Sequence, residues 1–152
     1  MEPVTCGVDA NSPVKRPVSR IQPFGKLSDD AEFFPRHVLV VDDELLIRWS
    51  VSETLSELGF DVEQASDASA ALRAVSTAAL PFDIVVLDLR LPDMKDLSLL
   101  GTIRQLLPNA ALILMTAFGT PEIISDAQAL GAMVLNKPFE LDELKRLVQS
   151  TS

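Results

Sequence analysis

The run Ile84-Val85-Val86-Leu87-Asp88 is the most informative stretch of this chain of 152 residues. Four consecutive apolar residues, three of them β-branched, predict a strand that is buried on both faces, as the strands of parallel sheets are. An aspartate closes the run, and a buried carboxylate is costly unless it is paired. We therefore expect a parallel strand with an acidic group at its carboxyl end.

Two other apolar runs also end in charged residues. The run 37–41 is followed by Asp42 and Asp43, and the run 132–136 is followed by Lys137. Parallel strands bring their carboxyl ends to one edge of the sheet, where ligands of open α/β folds bind. Three carboxylates and one ammonium gathered there would be unfavourable, mainly because the carboxylates repel one another, unless a divalent cation and an anion also bound at the site. The pattern therefore predicts a combined metal and phosphoryl site.

Strand and helix patterns alternate five times from His37 onward. The predicted strands cover residues 37–41, 60–65, 82–88, 110–116 and 132–136, and the predicted helices cover residues 45–58, 67–79, 97–107, 119–131 and 140–149. This alternation is typical of an α/β, doubly wound (βα)5 fold of the flavodoxin type, in which a five-stranded parallel sheet has helices on both faces. The first, third and fourth strands are the most apolar, so we expect them at the centre of the sheet.

The first 36 residues differ in composition from the rest of the chain. They contain five of the ten prolines and show no apolar periodicity, and their charges cancel, so the net charge of −9 lies wholly in residues 37–152. This composition predicts a flexible or loosely docked tail over residues 1–36 and one domain over residues 37–150. An acidic domain does not attract phosphate backbones, so we expect no direct binding to nucleic acid.

The composition excludes several classes of protein. Cys6 is the only cysteine, so neither a disulfide framework nor a thiolate zinc site is available. No early segment has the pattern of a signal peptide, and no apolar run is long enough to span a bilayer, so we expect a soluble cytoplasmic protein with no membrane partner. The sequence also has neither a Walker-type phosphate loop nor a Gly-x-Gly-x-x-Gly fingerprint.

Each acidic candidate also has a purely structural interpretation. Asp42 and Asp43 stand where the first strand meets the first helix, so one of them could cap that helix or interact with its dipole. Two adjacent anions are harder to explain in this way, whereas Mg²⁺ accepts one or two carboxylates and keeps several waters. Asp88 could cap the following turn or, as a nucleophile, form an aspartyl phosphate.

Thr116 and Lys137 have two interpretations as well. Thr116 suits a strand because it is β-branched, but its hydroxyl could donate to a bound oxyanion, with the small Ala117 leaving its own N–H accessible. Lys137 could simply be solvated, but beside three carboxylates it would pair with a phosphate group as a point charge. Pro138 constrains the backbone of Lys137, and the peptide bond between them could be cis or trans.

Taken together, these residues resemble the receiver domain of two-component response regulators. The resemblance covers residues 37–150 and rests on four motifs in order: Asp42-Asp43, Asp88 followed by Leu91-Pro92, Thr116-Ala117, and Lys137-Pro138-Phe139. The runs Ile47-Arg48-Trp49 and 115–119 are most similar to the receivers of bacterial nitrogen-regulation-type activators. Each motif is weak alone, but their shared register with the predicted strands is specific for the family and its chemotaxis-regulator-like fold.

The resemblance implies a role for each site residue. Asp88 would accept a phosphoryl group from the phosphohistidine of a histidine kinase or of a histidine phosphotransfer protein. Asp42, Asp43, Asp88 and the backbone carbonyl of Arg90 would bind Mg²⁺, and Thr116, the N–H of Ala117 and Lys137 would bind the phosphoryl oxygens. The protein would catalyse only its own phosphorylation and dephosphorylation, so we do not expect an enzyme that acts on other substrates. It would signal to a downstream protein effector through its fourth helix, fifth strand and fifth helix, as a monomer or weak dimer.

Two departures from the family pattern favour an alternative function. Val134 stands where receivers usually carry the aromatic residue that couples phosphorylation to output, and Lys95-Asp96 replaces a usual Asp-Gly pair. The alternative is a pseudo-receiver that acts as a phosphorylation-independent protein interaction module. A small phosphatase is disfavoured, because Arg90 stands where haloacid-dehalogenase-type enzymes carry the second aspartate of Asp-x-Asp.

Three further expectations concern single residues and the end of the chain. Trp49 lies off the apolar stripe of the first helix, so we expect it to face solvent, where it could contact a kinase. The bulky Phe118 could shield an acyl phosphate from water. The chain stops directly after its last predicted helix, which favours a stand-alone receiver over an excised fragment.

Overall fold

Parallel pairing of five short apolar strands organises the fold. The computed structural model describes residues 36–117 and 119–151. The strands are β1 (His37–Val41), β2 (Asp61–Ala65), β3 (Ile84–Asp88), β4 (Ala111–Thr116) and β5 (Ala132–Asn136). The helices are α1 (Leu45–Glu57), α2 (Ala68–Thr77), α3 (Ser98–Leu106), α4 (Pro121–Ala129) and α5 (Leu141–Gln149).

The sheet has the strand order β2-β1-β3-β4-β5, and every neighbouring pair is parallel. All residues of β3 are buried, whereas the edge strand β2 exposes most of its residues. β1, β3 and β4 are therefore central, as their apolar sequences predict. The predicted doubly wound (βα)5 fold is confirmed. The strand order reverses between β1 and β3, and this is the place where open α/β sheets bind ligands.

Alternate residues of the central strands face two separate cores. Val40 and Val86 point to the side covered by α1 and α5, where they pack with Leu55. Leu39 and Val85 point to the opposite side, which is covered by α2, α3 and α4. Each fully buried side chain of this size contributes about 1.5–3 kcal/mol relative to an exposed one, so both cores hold the sheet in register.

Local turn and cap residues mark the ends of three helices. Gly59 follows α1 with φ of +97°, a left-handed conformation that glycine adopts without steric cost. Asp67 caps α2, because its carboxylate accepts a hydrogen bond from the N–H of Ala70 at 2.7 Å. Pro121 is the first residue of α4, a position at which no intrahelical N–H is lost.

Four predicted boundaries are wrong by two residues. Two of them are the ends of α4, which covers Pro121–Ala129 rather than residues 119–131. β3 begins at Ile84 rather than at residue 82, because the side chain of Asp83 accepts a hydrogen bond from the N–H of His37 at 2.8 Å. The Phe82 ring meanwhile stacks on the His37 ring, with centroids 4.1 Å apart. α2 ends at Thr77 rather than at residue 79, because Ala78 has an extended backbone.

Some expectations fall outside the described residues. These are the predicted tail, apart from Arg36, and the shielding role of Phe118. Arg36 donates a hydrogen bond to the Thr151 hydroxyl at 3.1 Å. Within the described part of the chain, none of the helices has the length and apolar character that crossing a bilayer requires.

Candidate functional site

The carboxyl ends of β1, β3, β4 and β5 bring the predicted charged residues to one edge of the sheet. Asp42 follows β1, Asp88 ends β3 and Lys137 follows β5. One carboxylate oxygen from each of Asp42, Asp43 and Asp88 lies within 4.8 Å of the other two. The convergence expected from the sequence is therefore present in the structure.

Asp42 is fully buried, and both of its carboxylate oxygens have protein partners. The N–H of Glu44 donates to Oδ1 at 2.8 Å, and the Lys137 ammonium donates to Oδ2 at 3.0 Å. Asp43, next in the chain, is exposed at the mouth of the site. Asp42 therefore fixes the local backbone and orients Lys137, while Asp43 has its carboxylate open to solvent.

Lys137 joins three acidic side chains. Its Nζ lies 3.0 Å from Asp42 Oδ2, 3.4 Å from Glu44 Oε1 and 3.5 Å from Asp88 Oδ2. Its backbone N–H donates to the Thr116 carbonyl at 2.9 Å, which fixes the base of the side chain. Burial alone would lower the pKa of the ammonium, but the hydrogen bond and charge of Asp42, with Asp88 and Glu44, hold that pKa above its ordinary value. Lys137 is therefore charged throughout the physiological range.

Asp88 is buried at the centre of this cluster. Burial, together with the charge of Asp42, raises the pKa of its carboxyl from 3.8 to about 6. The Lys137 charge and a long hydrogen bond from the Arg90 N–H, at 3.4 Å, oppose this effect only in part. One ammonium is therefore insufficient to compensate the negative charge of the site.

Thr116 and Ala117 form the side of the site at the end of β4. Thr116 is buried and Ala117 is exposed. A β-carbon built on Gly119 would lie 3.0 Å from the Thr116 methyl and 3.2 Å from Ile124, so a larger residue at this position requires these two side chains to shift by a few tenths of an ångström. The site opens to solvent as a cleft of about 290 Å³ lined by Asp43, Glu44, Asp88, Leu89, Arg90, Thr116, Ala117 and Lys137.

The structure adds three residues that the sequence interpretation did not assign. Glu44 directly follows Asp42 and Asp43 in the sequence, but its ion pair with Lys137 joins residues that are 93 positions apart. Arg48 donates to the Asp42 carbonyl at 2.7 Å and to the Gln64 side chain at 3.1 Å, which ties α1 to β2. Asp93 joins the loop after β3 to the start of α2. No local pattern could reveal the Glu44 and Asp93 contacts, because each depends on the register of the finished sheet.

The donor set fits Mg²⁺. The cluster of Asp42, Asp43 and Asp88 offers carboxylate oxygens and contains no thiolate or imidazole, which is the chemistry that Mg²⁺ prefers. Burial, together with the charge of Asp42, raises the pKa of Asp88, and a cation bound beside this carboxyl would favour its ionised form. Asp43 and Asp88 are the carboxylates best placed to bind the ion directly, because both oxygens of Asp42 already accept hydrogen bonds from the protein.

Comparison with known proteins agrees with the fold and the motifs. The sequence model of the response regulator receiver domain matches residues 38–149. The chain is 34% identical over 113 residues to sporulation initiation phosphotransferase F of Bacillus subtilis, covering 74% of this chain and 90% of that protein. It is 33% identical over 114 residues to the DNA-binding transcriptional regulator NtrC of Proteus hauseri, covering 74% of this chain but 24% of that protein.

A solved structure of a related protein has the same fold. The complex of CheX, CheY, BeF₃ and Mg²⁺ from Borrelia burgdorferi superposes on this chain with a TM-score of 0.73 at 26% identity, covering 80% of this chain and 92% of that one. The fold and the site residues define a receiver domain. The chain belongs to the response regulator receiver domain family, and the resemblance to nitrogen-regulation-type receivers is confirmed.

Proposed function

We propose that this receiver accepts a phosphoryl group on Asp88 from the phosphohistidine of a histidine kinase or histidine phosphotransfer protein. The observation that carries the proposal is the position of Asp88, buried at the end of β3 with Lys137 on one side and the acidic pair Asp42 and Asp43 on the other. A buried carboxylate in this setting is a nucleophile held in place, and phosphoryl transfer depends mainly on such positioning and on charge neutralisation.

The step requires little covalent chemistry from the protein. A carboxylate oxygen of Asp88 attacks the phosphorus, an O–P bond forms and the N–P bond to the donor imidazole breaks. The imidazole nitrogen keeps the bonding electron pair. The donor leaves as neutral histidine because the other nitrogen of its phosphorylated ring carries a proton. The product is an acyl phosphate, whose new oxygens need hydrogen-bond donors and positive charge close to Asp88.

Three groups of this chain are placed to hold the transferred group. The Lys137 ammonium lies 3.5 Å from Asp88 Oδ2 and can pair with a phosphoryl oxygen on the same side. The Thr116 hydroxyl and the Ala117 N–H come from the neighbouring strand end and would donate to the others. Asp42, Asp43, Asp88 and the Arg90 carbonyl would hold Mg²⁺, which when bound supplies the positive charge that the carboxylates and the phosphoryl oxygens require.

The chain is proposed to catalyse only its own phosphorylation and dephosphorylation. Arg90 in place of a second aspartate argues against a phosphatase that turns over other substrates. We place the protein in the cytoplasm, where kinases of this class present their phosphohistidine.

We propose the exposed start of α1 as the surface that meets the donor. Leu45, Leu46 and Trp49 are 64%, 77% and 55% exposed, and Leu45 directly follows Glu44 at the mouth of the site. Trp49 faces solvent, as its position off the Ile47 stripe predicts. An apolar patch beside a phosphorylation site suits a protein donor, because burying it would hold the phosphohistidine close to Asp88.

Output is proposed to pass to a downstream protein effector through α4, β5 and α5, without direct contact to nucleic acid. We expect the protein to act as a monomer or weak dimer. Val134 lies on β5, pairs with Leu114 and is only partly buried against the core. A side chain this small fills less space than an aromatic ring, so the proposed response to phosphorylation does not depend on the rotation of a ring at this position.

Val134 is also the observation that favours the second candidate, a pseudo-receiver that binds partners without phosphorylation. Intact-mass spectrometry after incubation with acetyl phosphate separates the two functions. The proposal predicts one added phosphoryl group that requires Mg²⁺ and is absent from Asp88→Asn. No adduct, under conditions that retain the phosphoryl group on a control receiver, would support the pseudo-receiver instead.

A further inference from the structure

The loop after Asp88 is fixed at points on both sides of Arg90. The N–H of Leu89 donates to the Met115 carbonyl at 3.0 Å, which continues the pairing of β3 with β4. Leu91 and Met94 exchange two backbone hydrogen bonds, at 3.0 and 3.2 Å, and so close a tight turn. Arg90, whose carbonyl is a proposed metal ligand, lies between these two anchored segments.

Asp93 lies inside this turn and fastens it to another element. Its Oδ1 accepts a hydrogen bond from the Ala68 N–H at 2.9 Å, and its Oδ2 accepts one from the Ser69 N–H at 3.0 Å. These are the first two residues of α2, whose N–H groups have no partner within the helix. The hydrogen bond from Ala68, with that from Ser69, holds the pKa of the Asp93 carboxyl below its usual value, so it is ionised at neutral pH.

The cap of α2 is shared between two loops. Asp67, from the loop before the helix, accepts from the Ala70 N–H at 2.7 Å, and Asp93 accepts from the two N–H groups that precede it. The cap that Asp67 provides is sufficient by itself for α2 to begin at Ala68. The contact of Asp93 therefore fastens the loop after Asp88 directly to the start of α2.

We propose that Asp93 is a positioning residue that holds the Arg90 carbonyl in place for the metal by fastening the loop after Asp88 to α2. The inference rests on the proposed function. Mg²⁺ tolerates little deviation from octahedral geometry, so a ligand carbonyl on a loose loop binds it less well than one held in place. Residues that orient metal ligands from outside the coordination sphere typically change metal affinity by about 10–100-fold.

The chain provides a matched control for this inference. Asp67→Ala and Asp93→Ala each remove one carboxylate from the cap of the same helix, but only Asp93→Ala releases the loop. Mg²⁺ dissociation constants come from amide chemical-shift titrations of the full chain. We expect Asp93→Ala to weaken Mg²⁺ binding about tenfold, at the low end of that range, and Asp67→Ala to leave it within about twofold of wild type.

Hydrogen exchange in metal-free protein supplies a second readout. The amides of Leu91 and Met94 should exchange faster in Asp93→Ala than in wild type or Asp67→Ala. Asp93→Asn keeps one acceptor oxygen and should give intermediate values in both measurements, and it carries the comparison if Asp93→Ala does not fold. Equal Mg²⁺ affinity in the Asp93 and Asp67 variants would refute this inference alone, whereas absence of Mg²⁺ binding by wild type would refute the proposed function.

Discussion

Neutralising Asp88 should stabilise the metal-free protein at neutral and alkaline pH. The carboxyl is buried beside Asp42, and its pKa is raised from 3.8 to about 6. A pKa difference of this size between the folded and the unfolded chain corresponds to about 3 kcal/mol, at about 1.4 kcal/mol per unit. The ionised Asp88 carboxylate thus lowers the free energy of unfolding, and Asp88→Asn removes that charge while keeping the size of the side chain.

The sign of the pH dependence follows from the direction of the shift. As pH falls, the folded protein binds the Asp88 proton near pH 6, and the unfolded chain binds it only near its ordinary value. The stability gained from protonation is therefore fully present below the unfolded pKa and is lost as pH rises through about 6. Asp88→Asn should be more stable than wild type by about 2–3 kcal/mol at pH 8, and the difference should disappear near pH 4.

Urea unfolding followed by far-UV circular dichroism in EDTA measures this difference. Asp126→Asn is the control, because it makes the same change of net charge on the exposed surface of α4 and should alter stability by less than about 0.5 kcal/mol. Equal stabilities of wild type and Asp88→Asn at pH 8, or a difference that does not shrink on acidification, would refute the assignment of Asp88 as a buried, uncompensated carboxylate.

Three further outcomes are expected. Lys137→Ala should lower the free energy of unfolding in EDTA by about 2–4 kcal/mol, since it leaves Asp42 buried without its cation, and Mg²⁺ should restore part of the loss in urea titrations. Trp49→Ala should slow phosphotransfer from a cognate kinase. Phosphorylation by acetyl phosphate, followed as intact-mass time courses, should stay unchanged. If both reactions are slower, Trp49 does not belong to the docking surface. Gly119→Ala should destabilise the fold by about 1–3 kcal/mol through contact with the Thr116 methyl, and should also slow phosphorylation by acetyl phosphate; an unchanged melting curve would contradict the close approach.

The sequence predicts the parts of this protein that depend on local pattern. The apolar runs that end at Val41 and Asp88 indicate central parallel strands, and parallel strands necessarily bring their carboxyl ends together. That rule alone places Asp42, Asp88 and Lys137 at one edge, and the structure brings them there. Helix caps such as Asp67 follow from local chemistry in the same way.

Contacts between distant loops could not be predicted from pattern. The local sequence around Asp93 predicts only a turn, and its partners Ala68 and Ser69 are 25 and 24 residues away. Glu44 looks like a surface carboxylate beside a helix until the register of β1 and β5 places Lys137 next to it. These contacts depend on where each strand ends along the sheet. The packing of both cores determines those positions together.

The most direct test of the central claim is to locate the phosphoryl group. After phosphorylation with acetyl phosphate and Mg²⁺, reduction with borohydride converts an aspartyl phosphate to homoserine, which peptide mass spectrometry can assign to one position. We expect modification at Asp88 alone, with Asp42 and Asp43 unmodified and with no signal in Asp88→Asn. Modification at another carboxylate, or a phosphoryl adduct that persists in Asp88→Asn, would contradict it.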